Sequence, residues 1–433
     1  MGLLLGIGNT RPQTPYDYYY GIEWDITVSN PKPTRIGKTE LHKSLPIQSL
    51  MRRCVLRDNG TIAYYLHAND STKRDNSAAA NLDGTDGQVM VELPSCYVRF
   101  EADGNKRRCL LSTIELPGFH KWNKCFVSAY EATIQRSTNK LASVVNNTAD
   151  YRGGNNDATK DSKFSSQLGR PASNFNMTNA RLYARNRGNT RWNCHTYQAQ
   201  KMLFWFFAVE YCNFNSQDTF NASLDENGYR QGGLGKGVTD LGNWGNFGSY
   251  PPVPCGTTNS LGNRSGYVEY VCAKSDDNSV AAQTLQVPSY RGIENPFGHI
   301  WQLTDGIKCL IQSNASGGVS EFYVCDNHEL WNSNGVEGYE LRGVLPRTNG
   351  YVKEIVLGDF GEIVPLLVGG GTTTYFCDHL WTSIPGSGVQ ERVLLFGANA
   401  NDGAFAGFVC AVTDWTATSA YAFVGSRLCY IPE

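Results

Sequence analysis

FGANANDGAFAGFVCAVTDWTATSAYAFVGSRLCY, residues 396–430, holds seven aromatic residues and eight alanines but no lysine or glutamate. Ala398 and Ala400 flank Asn399, Ala404 and Ala406 flank Phe405, and Ala420 and Ala422 flank Tyr421. Alternation with a period of two sends successive side chains to opposite faces of an extended backbone. The stretch therefore predicts strands with one plain, small-residue face and one chemically mixed face.

The rest of the chain carries both strand and helix signals. MRRCVLRDNGTIAYYLHA (51–68) places Asn-Gly between two strand-like runs, and VMVELPSCYVRFEADGNKRRCLLST (89–113) places Asp-Gly likewise. These dipeptides accept the positive φ of tight turns, so each predicts a β-hairpin. The first 110 residues thus read as a small β-rich module for assembly or attachment. A larger unit, 111–433, begins near LPGFHKWNKCFVSAYEATIQRS. Within it TNARLYARN (178–186) predicts a short helix, and WNCHTYQAQKMLFWFFAVEYCNFNSQ (192–217) the principal one. Apolar residues occupy nearly every face of the latter from Met202 to Tyr211, so it should be buried. Residues 226–292 read as loops. GGLGKG (232–237) lacks the Lys-Ser/Thr and the strand–loop–helix setting of a phosphate loop. Strands and helices together predict an α+β fold.

Composition narrows the function. With 433 residues and a net charge of -2, the chain can bury a large core but has no basic footprint for nucleic acid or anionic membrane. Aromatics reach 12%, including 23 tyrosines, which suits recognition surfaces because a rigid ring offers area at low entropic cost. MGLLLGIGNT (1–10) makes a poor signal peptide, and the apolar run 202–209 is too short to span a bilayer, so membrane insertion is not expected. Thirteen cysteines without a CxxC, most of them in apolar runs, read as reduced core thiols rather than a disulfide framework. That favours assembly in a reducing cytoplasm.

Catalytic signatures are missing from the sequence. The seven histidines lack helical metal spacing, and neither HExxH nor GxSxG occurs. Cys377-Asp378-His379 is the one tight group of ligand-type residues. Neighbours on a strand face opposite ways, so an exposed polar turn is the better reading than zinc. No metal, cofactor or enzymatic activity is expected.

NPFGHIWQLTDG (295–306) resembles the signature of C-type-lectin-like domains of the formylglycine-generating-enzyme type, with Trp301 as their core tryptophan and Gln302 where the enzymes usually carry glutamate. FVSAYEAT (126–133) is similar to their opening strand and turn, and GSRLCYI to their closing strand. The resemblance covers about residue 115 to the end. The close cysteine pair of those oxidases has no counterpart, since Cys377, Cys410 and Cys429 are far apart. The calcium motifs of sugar-binding lectins are also missing; WNS at 331–333 lacks the aspartate.

The framework YRGIENPFGHIW, RTNGYVKEIVLGDFGEIVP, GGGTTTYFCD and VGSRLCY is more similar to the variable proteins of diversity-generating retroelements. That resemblance implies a C-terminal binding face whose codons are rewritten at adenines, here about 392–430. Asparagine codons altered in that way reach Tyr, Phe, Ser and Asp but not Trp, so Trp415 stands outside the pattern. It implies ligand contact through Asn399, Asn401, Asp402, Phe405, Phe408, Asp414, Trp415, Ser419, Tyr421 and Phe423, with Tyr375, Asp378, His379 and Trp381 from TTTYFCDHLW (372–381) beside them. The implied partner is a host-surface protein or glycan. The protein would act as a homo-oligomer, a trimer in some members, on a virion tail or, alternatively, a bacterial cell surface. A formylglycine-generating-type oxidase and an invariant structural virion protein remain as alternatives.

Overall fold

The computed structural model describes residues 14–28, 32–161, 166–241, 250–273 and 281–433. The chain opening at 1–10 and part of the loop region 226–292 therefore lie outside the described residues.

About 38% of the chain is strand and 14% helix, and one of the several sheets is nearly closed into a barrel-like form. The protein is mostly β. This overturns the α+β expectation, drawn as a C-type-lectin-like domain behind a small β-rich module. The helix signals hold, but among the described residues three α-helices are set among many strands of two to twelve residues. Most of those strands are too short to show a period, and their partners are remote in sequence.

Both predicted hairpins form. Arg52–Leu56 pairs with Ile62–His67 around Gly60 at φ 83, and Cys96–Asp103 pairs with Lys106–Ser112 around Gly104 at φ 55. The second hairpin belongs to a five-stranded antiparallel sheet ordered Thr34–Gly37, Tyr19–Asp25, Lys106–Ser112, Cys96–Asp103 and His120–Trp122. The first belongs to a seven-stranded sheet that also contains Gln88–Leu93, Cys125–Ser128, Trp192–Cys194 and the C-terminal strand Leu428–Tyr430. Strands from both sides of residue 110 thus share one sheet, and one hydrophobic core runs through both regions.

Helix α1 is Thr39–Ser44, α2 is Met177–Arg185 and α3 is Tyr197–Tyr211. Thr196 caps α3 by accepting the Ala199 N–H at 3.2 Å, and Cys212 ends it at φ 51. All of α3 except Gln198 is buried, as its all-round apolar sequence requires. Trp205 donates its indole N–H to Gly361 O at 2.9 Å, which satisfies the one polar atom of that ring in the core. All thirteen cysteines are unpaired, and twelve are buried, so the reading as core thiols holds.

The largest sheet positions the candidate site. Its path runs Glu340–Val344, Ser320–Val324, Trp301–Gln312, Val389–Gly397, Gly407–Val412, His379–Trp381, Gly350–Leu357 and Glu362–Val368. Val424–Gly425 adds to Trp301–Gln312 in parallel, so the last thirty residues return to the middle of this sheet before joining the seven-stranded one. Arg427 locks the crossing. It is fully buried and donates to the carbonyls of Ser128, Glu294 and Asn295.

Candidate functional site

Residues 398–406 are not a strand. Val389–Gly397 ends, Ala398 takes φ 78, and the chain folds into a turn closed by the 3-10 helix Gly403–Phe405. Asp402 closes that turn by accepting the Asn399 N–H at 2.7 Å, and Asn399 in turn accepts the Asn401 N–H at 2.8 Å. Leu241 N donates to Ala400 O, and Gly403 N to Thr239 O, so the turn is tied down through backbone atoms. Residues 413–423 form a second loop held the same way. Val393 N donates to Trp415 O at 2.9 Å, Trp301 N to Phe423 O at 2.9 Å, and Asn174 N to Tyr421 O at 3.0 Å.

The division into a small inner set and a mixed outer set survives this change of geometry in part. Ala398, Ala400, Ala406 and Ala422 are buried, while Phe405 is 36% and Tyr421 39% exposed. Ala404 and Ala420 are exposed and Asn399 is buried, because a turn does not keep a two-residue period.

The rings of these loops meet in one patch. Phe405 lies 5.4 Å from Trp381, 4.8 Å from His379 and 5.3 Å from Tyr351. Trp415 lies 5.1 Å from Tyr421 and 5.9 Å from Phe423, and the last two stack at 5.4 Å with planes 4° apart. Trp301 joins the two groups edge-on, 5.7 Å from Trp381 and 6.5 Å from Trp415. Such T-shaped contacts place a positive ring edge on a negative ring face. Trp301 is 3% exposed, whereas every other ring of the patch is half-buried or exposed.

Six of the candidates named from sequence, His379, Trp381, Phe405, Trp415, Tyr421 and Phe423, are thus brought together. Asn401 is exposed and Asp402, Asp414 and Ser419 are half-buried on the same two loops. The other candidates point inward. Phe408 packs on Phe207, Tyr290 and Phe297. Tyr375 packs edge-on against Phe214 and accepts the Asp25 N–H. Tyr351 was missed: it pairs in register with His379 across two strands, a contact that local sequence does not reveal.

Cys377-Asp378-His379 is not the exposed polar turn expected from its composition. Cys377 and Asp378 are buried, and His379 opens the strand His379–Trp381. The Asp378 carboxylate accepts the Val409 N–H at 2.7 Å. Gly407 makes room for it, since a Cβ there would sit 1.9 Å from Asp378 Oδ1. Burial pushes the Asp378 carboxyl up to about 7, against the opposing N–H bonds from Val409 and Cys410. Burial, with Asp378 next in size, holds the thiols of Cys377 and Cys410 well above the ordinary range, so neither supplies a thiolate. Burial likewise raises Asp402 to about 6 and raises Asp414, while it lowers His379. Among the described residues no three His, Cys, Asp or Glu side chains are placed to hold a metal ion, and no helix is long and apolar enough to cross a membrane.

The raised carboxyl of Asp378 makes a testable contribution to stability. The folded state keeps its proton between the unfolded value of 3.8 and about 7, so this stabilisation is present at low pH and lost as pH rises through 7. His42 and His195 work the other way: burial depresses them to about 4 and about 3, costing stability as pH falls below the ordinary histidine value of 6.5. The Asp378 effect is therefore read as a difference. Going from pH 8 to pH 5, the Tm of the wild-type protein is expected to rise relative to that of Asp378→Asn by roughly 3 °C. A difference that does not change with pH would remove this assignment.

No model of a known protein family matches the chain, and no curated protein matches it either.

Proposed function

We propose that the protein is a ligand-binding protein of the receptor-attachment type, and that the aromatic patch on the turn 398–406 and the loop 413–423 is its contact surface. One observation carries this reading: six residues singled out as ligand contacts, spread over 45 positions of sequence, converge on the two sides of Trp301. A surface of contiguous, partly exposed Trp, Tyr and Phe rings has the composition of binding hot spots.

The reading includes diversification by a retroelement. The two loops are tied to neighbouring segments, and the second of them to the sheet, through backbone hydrogen bonds, which persist when side chains change. Buried alanines, Ala398, Ala400, Ala406 and Ala422, lie beneath them. Phe405, Tyr421 and Phe423 can then be rewritten without removing what holds their backbone, whereas Asn399 and Asp402 hold the turn through their own side chains. In this account the protein binds a host-surface protein or glycan without catalysis and as a homo-oligomer. It would sit on a virion tail or, alternatively, on a bacterial cell surface. Repetition in an oligomer would convert weak single-site contact into firm attachment.

The test is an array of host-surface glycans and proteins probed with the wild-type chain and with a Phe405→Ala/Tyr421→Ala/Phe423→Ala variant. The variant is expected to lose at least a hundredfold in affinity, from about 2 kcal/mol or more for each anchor. Full binding by a folded triple variant would place the interface elsewhere. The diversification claim has its own check in the flanking DNA: a near-copy of codons 392–430, differing mainly at adenines, beside a reverse-transcriptase gene. Without that copy the claim fails for this locus, while the binding claim stands.

A further inference from the structure

A cavity of about 410 Å3 shares no residue with the aromatic patch. It lies where the first turns of α3 meet the strand His120–Trp122, the end of the strand Ser320–Val324 and the turn at Asp359 and Phe360. Its size falls within the ~300–1,000 Å3 range of small-molecule sites. We propose that this cavity binds a neutral carbohydrate, one or two sugar rings in length.

Three properties of the lining point to that chemistry. The floor is apolar and aromatic: Trp122, Tyr197, Val324 and Trp331 are all buried, and Phe360, which carries the Arg342 guanidinium over one ring face at 3.8 Å, is 43% exposed among the lining residues. The opposite face of such a ring suits the C–H face of a sugar. The mouth is polar and offers both donors and acceptors, through the exposed side chains of His120, Lys121, Asn123, Asp326 and Asp359. The lining charges balance, so neither an anion nor a cation is selected. Lys124 is paired with Glu92 at 3.5 Å, Lys201 with Glu362 at 3.6 Å and Asp326 with Arg342 at 2.8 Å, leaving Lys121 and Asp359 to add one charge of each sign.

Gln198 adds a specific polar contact. It is the one residue of α3 that is not buried, it lines the cavity, and its amide nitrogen is shielded from water without a hydrogen-bond partner. An unmet buried donor is costly, and a rotation of the Gln198 amide toward the cavity would let a ligand hydroxyl oxygen supply the partner it lacks. Trp331 cannot serve in its place, because its indole N–H is spent on Cys325 O at 2.7 Å.

The experiment is a calorimetric titration of the full chain with neutral mono- and disaccharides, and with uronic and sialic acids as charged controls. At least one neutral sugar is expected to bind. Gln198→Leu and Phe360→Ala should each weaken it tenfold or more without lowering Tm by more than a few degrees. The Phe405→Ala/Tyr421→Ala/Phe423→Ala variant should bind that sugar as the wild type does, which separates this site from the aromatic patch. Equal binding of a free disaccharide and of a glycan ending in it assigns a surface-glycan source; binding of the free sugar alone assigns a soluble one. The proposal is overturned if no neutral sugar binds, if only the charged sugars bind, or if both folded single variants bind normally.

Discussion

Trp301→Ala is expected to lower the unfolding free energy by about 3–5 kcal/mol, the range for truncating a large buried aromatic, and to weaken ligand binding beyond that of any single loop-ring substitution. The ring fills the space between Trp381 and Trp415 and is 3% exposed, so its removal opens a cavity that the two flanking rings cannot both fill. Its backbone N–H, which holds Phe423 O, remains, so the loop 413–423 keeps its backbone tethers while it loses its packing. Equilibrium unfolding in urea measures the first effect, and the glycan and protein array the second. Trp301→Phe should recover part of both, because a smaller ring restores one of the two edge contacts. Wild-type binding by a folded Trp301→Ala protein would show that the halves of the patch work independently.

The second large effect lies four residues further along the same strand. Arg181 of α2 meets Asp305 through two hydrogen bonds, at 2.6 and 2.8 Å, with both side chains almost wholly buried. Arg181 also donates to Asn332 O and Ser333 Oγ at 2.9 Å, so one guanidinium joins α2, the strand Trp301–Gln312 and the segment after Trp331. Asp305→Ala leaves a buried cation without its counter-charge and is expected to cost about 3–5 kcal/mol. The double variant Arg181→Met/Asp305→Leu should be closer to wild type than Asp305→Ala, because it removes both charges together and leaves an apolar pair of comparable bulk. Urea unfolding of the three proteins checks the order. A loss below about 1 kcal/mol in Asp305→Ala would mean that water reaches Arg181.

The site was legible in residue type more than in geometry. Phe405, Tyr421 and Phe423 stood out as large rings among alanines, and they do lie on the surface of two loops. Phe408 carries the same signal, yet it lies in the core against Phe207 and Tyr290. The difference is that Phe408 belongs to the strand Gly407–Val412, buried along its whole length, while Phe405 sits in the turn before it. Alternation alone cannot separate the two, because a strand covered on both faces buries both sets of side chains. Asp378 was misjudged for a related reason. A lone carboxylate reads as solvent-exposed unless the backbone N–H groups that receive it are known, and here they lie on a strand thirty residues later.

What the sequence determined by itself is what short-range physics governs. The Asn-Gly and Asp-Gly turns make their hairpins, the all-round apolar run from Met202 makes a buried helix, and cysteines in apolar runs become buried thiols. Each follows from φ preference or burial within a few residues. Only the tertiary structure decided that the fold is mostly β and that the rings of two loops close over Trp301. Those outcomes rest on pairings between distant strands, such as Trp301 with Val424 and Tyr351 with His379. The hydrogen bonds and ring contacts that stabilise such pairings form between residues whose proximity no local pattern encodes.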